Sequence, residues 1–156
     1  MKNRKLVALM LLVAALVLVA AGCGSKKNGY SASKADFAAG MNSICAAVNA
    51  KIKAIGAITS LSDLATKGPD VLKDGQDGIA KVKKLGTPPD EIKTAVDDWI
   101  AKSDASATLI QKVIDAAKAN DSATAAKLDQ ELTPLNTATD ADAKTIGAPA
   151  CGSQST

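Results

Sequence analysis

Histidine is absent from the 156 residues and the one arginine is Arg4, so any chemistry must come from carboxylates, lysines and three cysteines. Without imidazole there is no ordinary proton shuttle near neutral pH and no histidine metal ligand. Without arginine in the body of the chain there is no bidentate clamp for phosphate or carboxylate. Asp36, Asp97, Asp98, Asp104, Asp115, Asp140 and Asp142 lie on segments expected to face one another, and paired carboxylates can work as acid and base. None of them falls on an apolar stripe. A di-iron carboxylate bundle needs Glu-x-x-His inside its core, and with Glu91 and Glu131 as the only glutamates that class is excluded. Asp74-Gly75-Gln76-Asp77-Gly78 has the outline of a calcium loop, but neither register works. Gly75 at the sixth position puts Leu72 at the third and Lys81 at the twelfth, and Gly78 there puts Lys73 at the first. No catalytic residue, cofactor or metal is expected, and the chain is read as non-enzymatic.

The cysteines divide by context. Met1 to Lys5 is basic, Leu6 to Ala21 carries no charge, and Gly22-Cys23 follows, which is a signal-peptide layout. The uncharged run is short beside the roughly 20 residues of a membrane-spanning helix. Ala20-Ala21-Gly22-Cys23 looks like a bacterial lipobox, with Ala20 where leucine is usual. This likeness implies that residues 1–22 are a removed signal peptide and that Cys23 becomes an acylated terminus. Residues 23–32, with the polar Gly24 to Ser31 stretch, then form a flexible tether. Lys26 and Lys27 can touch anionic head groups. The expected setting is extracytoplasmic, with a bacterial cell membrane as partner through the lipid anchor.

In an exported chain Cys45 and Cys151 remain as an even pair. A disulfide between them closes most of the domain into one loop, which stabilises a fold by about 4.7 kcal/mol in the chain-entropy account. The alternative is a free reactive thiol, which has neither a CxxC partner nor a histidine to activate it.

The charge of +3 comes from 19 Lys+Arg against 16 Asp+Glu. Lys2, Arg4 and Lys5 supply the whole excess, so the remaining chain is balanced. A balanced chain with three dispersed aromatics, Tyr30, Phe37 and Trp99, offers neither the basic stripe nor the stacking platform that nucleic acid requires.

The elements that position these residues are helical. Phe37, Met41, Ile44, Cys45, Val48, Ile52 and Ile55 advance by threes and fours, with Ser33 and Asp36 as a capping pair and Gly56 as a stop. A second segment runs from about Ser62 to Leu85 through Leu64, Leu72, Ile79 and Val82. Gly68-Pro69 interrupts it, so its main helix is expected to begin at Pro69 after a loop or separate turn. Thr87 is expected to cap a third helix, with a proline in its first turn followed by Asp90 and Glu91. Ile92, Val96, Trp99, Ile100, Ala107, Ile110, Val113, Ile114 and Ala117 carry its stripe. Asn120-Asp121 stops that helix and caps a fourth, which runs through Ala125, Leu128, Leu132, Leu135, Thr139 and Ile146 to Gly147. Pro134 is expected to kink or break it. Short connections give an all-α, up-down-up-down four-helix bundle over residues 33–156. Five extended residues reach about 17 Å, so the tail from Gly147 can run back along the first helix and bring Cys151 to Cys45.

The lipobox, the tether, the Phe37-x7-Cys45 helix, the Leu85-Gly86-Thr87-Pro88-Pro89 break, Trp99 and the Ile146-Gly147-Ala148-Pro149-Ala150-Cys151 tail together resemble small lipoproteins of actinobacterial type. The resemblance implies the architecture and no particular activity. Function is therefore read from the residues. The leading expectation is a non-catalytic interaction or envelope module with a protein partner at the cell envelope. The alternative is a carrier or sensor of a small apolar ligand between the helices, at Trp99, Ser103, Gly75 and Gly78. Gly75, Gly78, Ser103, Ser106 and Thr139 put small or polar side chains near mid-helix, where close packing is expected in preference to a pocket. Trp99 continues the stripe from Val96 and is expected in the core. Lys81, Lys83 and Lys84 complement the helix dipole, with an acidic partner as the other use.

Overall fold

The chain divides into Met1–Tyr30 and Ser31–Thr156, and the computed structural model describes residues 33–152. The expected signal peptide over 1–22, the acylation site Cys23 and the tether over 23–32 lie outside the described residues. The described part is all α: α1 spans Lys34–Ile55, α2 Leu61–Lys83, α3 Asp90–Lys118 and α4 Ser122–Ile146, with a 3₁₀ turn at Pro149–Cys151.

Local chemistry accounts for most of the ends. Ser33 caps α1, its hydroxyl accepting from the Asp36 N–H at 3.2 Å, and Asp121 caps α4 by accepting from the Thr124 N–H at 3.0 Å. Gly147, at φ 88°, closes α4 with two bonds: its N–H donates to the Lys144 carbonyl, and the Ala148 N–H donates back to the Ala143 carbonyl at 2.8 Å. This is a Schellman turn, and it needs the left-handed conformation that glycine adopts freely.

Two expectations about helix ends are corrected, and a third is narrowed. α2 starts at Leu61, eight residues before Pro69, and runs through that proline without a break. Ser60 and Asp63 cap it reciprocally: the Ser60 hydroxyl accepts from the Asp63 N–H and donates to the Asp63 carboxylate, both at 3.0 Å. Leu61 and Leu64 bury against the core, and Gly68 lets Ile114 sit where a Cβ would stand, 2.7 Å from it. Caps and packing together hold two turns that the proline alone would have released. Thr87 is no cap, because Pro88 and Pro89 both precede the first turn of α3; Pro89 occupies the cap position with no side-chain bond. Of the two readings of Pro134 the break is ruled out: α4 is one helix across it, and Pro134 is exposed.

The core is divided along the bundle. One cluster gathers Phe37, Met41, Cys45, Val82, Ile92, Val96, Trp99 and Ile146 with the tail residues Ala148 and Cys151. At the opposite end Val113, Ala116, Ala125 and Leu132 form a second, adjoined by Leu72, Ala107 and Ile114. Successive helices pack as neighbours, most extensively α3 on α4, whereas α1 and α4 hardly touch directly and are joined through the 3₁₀ turn.

Candidate functional site

The tail is the plug between α1 and α4. Cys45 and Cys151 are bonded, with Cα atoms 5.1 Å apart, and each is 8% exposed. Two asparagines one helical face over hold the same strand of chain. Asn42 donates to the Gly147 carbonyl at 3.1 Å and accepts from the Ala150 N–H at 2.9 Å. Asn49 donates to the Ala150 carbonyl at 2.9 Å. From α3 the Trp99 indole N–H donates to the Cys151 carbonyl at 3.2 Å. Gly147, Ala150 and Cys151 are thus gripped from α1 and α3 by their backbone or sulfur. Asn42, Cys45 and Asn49 share one face at helical spacing; an asparagine pair flanking a cysteine on a helix, where asparagine is a poor helix former, was the available signal, and the sequence reading missed it.

Below the plug the seam between α1 and α4 stays open as a cleft of about 240 Å³. Its rims are Val48, Asn49 and Ile52 of α1 and Asn136 and Thr139 of α4. Its floor comes from α2, through Leu72, Gly75, Gly78 and Ile79, and from α3, through Trp99, Ser103, Ser106 and Ala107. Cys45 and Cys151 close the upper end. The four residues anticipated from sequence, Gly75, Gly78, Trp99 and Ser103, therefore all line one cleft, and Trp99 is at the same time a core residue, 5% exposed.

The two glycines differ, and the expected close packing holds at Gly78 but not at Gly75. A Cβ on Gly78 would stand 2.7 Å from the Val48 Cγ2, so Gly78 is the close approach of α1 to α2. Gly75 has nothing within 4 Å of that position; its side of the helix faces open space. Ser106, one turn beyond Ser103, has its Oγ shielded from solvent and without a hydrogen-bond partner. The Thr139 hydroxyl returns to the Leu135 carbonyl at 2.8 Å.

No charged side chain lines the cleft. The charges sit outside, engaged with one another. Lys102 of α3 pairs with Asp142 of α4 at 2.7 Å and with Asp98 at 3.6 Å, and the hydrogen bond to Asp142 raises its pKa. Lys83 pairs with Asp104 at 2.8 Å, Lys51 with Asp74 at 2.9 Å and Lys93 with Asp97. Asp115 accepts from Gln111 at 2.9 Å, and Asp36 accepts from the Ser33 hydroxyl at 2.7 Å. Thus Asp97, Asp98, Asp104, Asp115 and Asp142 are members of ion pairs or hydrogen bonds on the outer faces, and the structure does not assemble them into one site. Among the described residues, no group of three cysteine, aspartate or glutamate side chains is placed to hold a metal ion. No family model, curated protein or solved structure matches the chain.

Proposed function

We propose that the chain is a lipid-anchored, extracytoplasmic, non-catalytic binding module of a bacterial cell envelope, and that the seam between α1 and α4 is where it holds a small molecule. The observation that carries this reading is the cleft itself: about 240 Å³, uncharged, and floored by a tryptophan and a glycine with open space before it. A cavity of about 150 Å³ holds a benzene and drug-sized pockets begin at roughly 300 Å³, so the occupant has one or two rings or their equivalent. Large exposed apolar patches mark protein-docking sites, and among the described residues the one large hydrophobic side chain that is exposed is Ile58, on the loop between α1 and α2. Small-molecule binding is therefore favoured over the protein-partner reading. Cys23 would tie this module to the membrane by its acyl chains, and the tether would hold it clear of the surface.

The test is native mass spectrometry of the acylated protein extracted from its own membrane in mild detergent, beside Gly75→Leu. Leucine is a better helix former than glycine and its side chain enters the cleft. Extra mass on the wild type that is absent from Gly75→Leu is expected. Bare chain in both, with a protein co-extracted, would replace this reading with the protein-partner one.

A further inference from the structure

The lining of the cleft also specifies the chemistry of its occupant, an inference that rests on the small-molecule reading above. We infer that the ligand is a neutral molecule with a flat apolar body and a single hydroxyl or carbonyl group, the body lying over Gly75 and the polar group pairing with the Ser106 hydroxyl once that side chain turns to the cleft.

Three observations lead there. First, lysines and aspartates crowd the outside of all four helices, yet none reaches the cleft wall, so nothing there compensates an ion leaving water. Burying an unpaired charge is the most costly desolvation a site can face, and anionic and cationic ligands are disfavoured together. Second, the absence of a Cβ at Gly75, with nothing within 4 Å of where it would stand, serves no helix contact inside the protein. Glycine is a poor residue for a helix interior, and at this point its effect is to bare backbone and leave a flat place against which a planar body fits. Gly78, three residues on, is explained by Val48; Gly75 has no such explanation. Third, Ser106 lines the cleft, while its Oγ is turned away from solvent and lacks a partner there, so a rotation of the side chain that brings it to the cleft gives up no hydrogen bond. A hydroxyl in that state both donates and accepts, and a ligand group that pairs with it removes a penalty from each side. The neighbouring Thr139 hydroxyl, already committed to the Leu135 carbonyl, leaves its oxygen as an acceptor only.

The experiment uses the full chain in phosphocholine micelles, labelled with ¹⁵N, and follows the indole N–H signal of Trp99, the single tryptophan. Three compounds of one ring size are titrated: naphthalene, 2-naphthol and 2-naphthoate. Partition into micelles is common to wild type, Ser106→Ala and Gly75→Leu, and cancels in comparisons between them. In the wild type 2-naphthol is expected to bind at least as tightly as naphthalene, and 2-naphthoate at least about tenfold more weakly. Ser106→Ala should weaken 2-naphthol about tenfold while leaving naphthalene unchanged, and Gly75→Leu should abolish both. Equal effects of Ser106→Ala on naphthalene and 2-naphthol, no effect on either, or binding of 2-naphthoate as tight as that of 2-naphthol would overturn the inference while leaving a binding cleft in place. No saturable shift with any compound would overturn the cleft as a binding site as well.

Discussion

Around Trp99 the bundle is shut. Phe37, Met41, Val82, Ile92, Val96 and Ile146 are at most 3% exposed, the tail fills the gap between α1 and α4, and a disulfide, an indole N–H and two asparagines fasten it there. Half a helix further along, α1 carries the same kind of stripe through Val48, Ile52 and Ile55, yet all three are only half-buried. The difference lies in what stands opposite. Above, the returning tail supplies Ala148 and Cys151; below, α4 presents Asn136 and Thr139, which give α1 nothing apolar to pack on. An aliphatic stripe thus makes a core only where a partner surface completes it, and where the partner is missing it makes a cleft.

The contrast can be broken first at the staple. Replacing both Cys45 and Cys151 by serine is expected to cost up to about 4.7 kcal/mol, a large share of a small domain's stability. The tail should loosen, and Trp99 emission should move to the red as its surroundings become wet. A urea midpoint and emission maximum equal to those of the wild type would show that packing and the asparagines suffice to close the upper half. Next in size, Trp99→Phe keeps an aromatic ring but removes the indole donor and part of its buried volume, leaving the Cys151 carbonyl without that bond. This should cost about 1–3 kcal/mol in urea unfolding, and a smaller loss would mean that the tail is held by sulfur and asparagine alone.

The glycines sharpen the comparison by sign. Gly75→Ala places its methyl in open space and should stabilise the protein by about 1 kcal/mol. Gly78→Ala drives a Cβ against the Val48 methyl and should destabilise it by about 1–3 kcal/mol. Melting temperatures that move the same way for both would refute the assignment of one glycine to the cleft and the other to a helix contact.

The smallest effect belongs to the far end of α2. The Asp63 carboxylate accepts the Thr59 N–H at 3.2 Å, the Thr59 hydroxyl at 3.0 Å and the Ser60 hydroxyl at 3.0 Å, with Lys67 beside it at 3.4 Å. The Thr59 backbone bond first, and the hydroxyls after it, lower its pKa from 3.8 to about 2. Because the folded value lies below the unfolded one, the stabilisation is complete above pH about 4 and is lost as pH falls toward about 2. Asp63→Asn should melt below the wild type near neutrality, and the gap should narrow through that window. A gap independent of pH would assign the cap to geometry and not to charge.

What the sequence discloses follows the range of the forces involved. Stripes such as Phe37-Met41-Cys45 and stops such as Gly147 and Asn120-Asp121 are local, so helix faces and most ends were legible. The Cys45–Cys151 bond was legible because the expected export, the parity of the cysteines and the reach of the tail converge on it. Pro69 misled because the turns before it are held by Ile114 of another helix, pressed into the space of Gly68. Thr87 misled because two prolines separate it from the first turn of α3. Asn42 and Asn49 went unread because their partners are backbone groups about a hundred residues away. The cleft was half legible. Small residues at mid-helix marked the place, but whether a missing side chain admits a neighbour or leaves a space depends on what stands opposite, Val48 at Gly78 and nothing at Gly75.

The most direct test of a seam built for a guest is a crystal structure of the full chain purified from the cells that make it with no compound added. Continuous non-protein density is expected between α1 and α4, against Gly75 and within hydrogen-bonding distance of the Ser106 Oγ. A seam in which α1 and α4 have closed until Ile52 meets Thr139, or one holding ordered water alone, would contradict it.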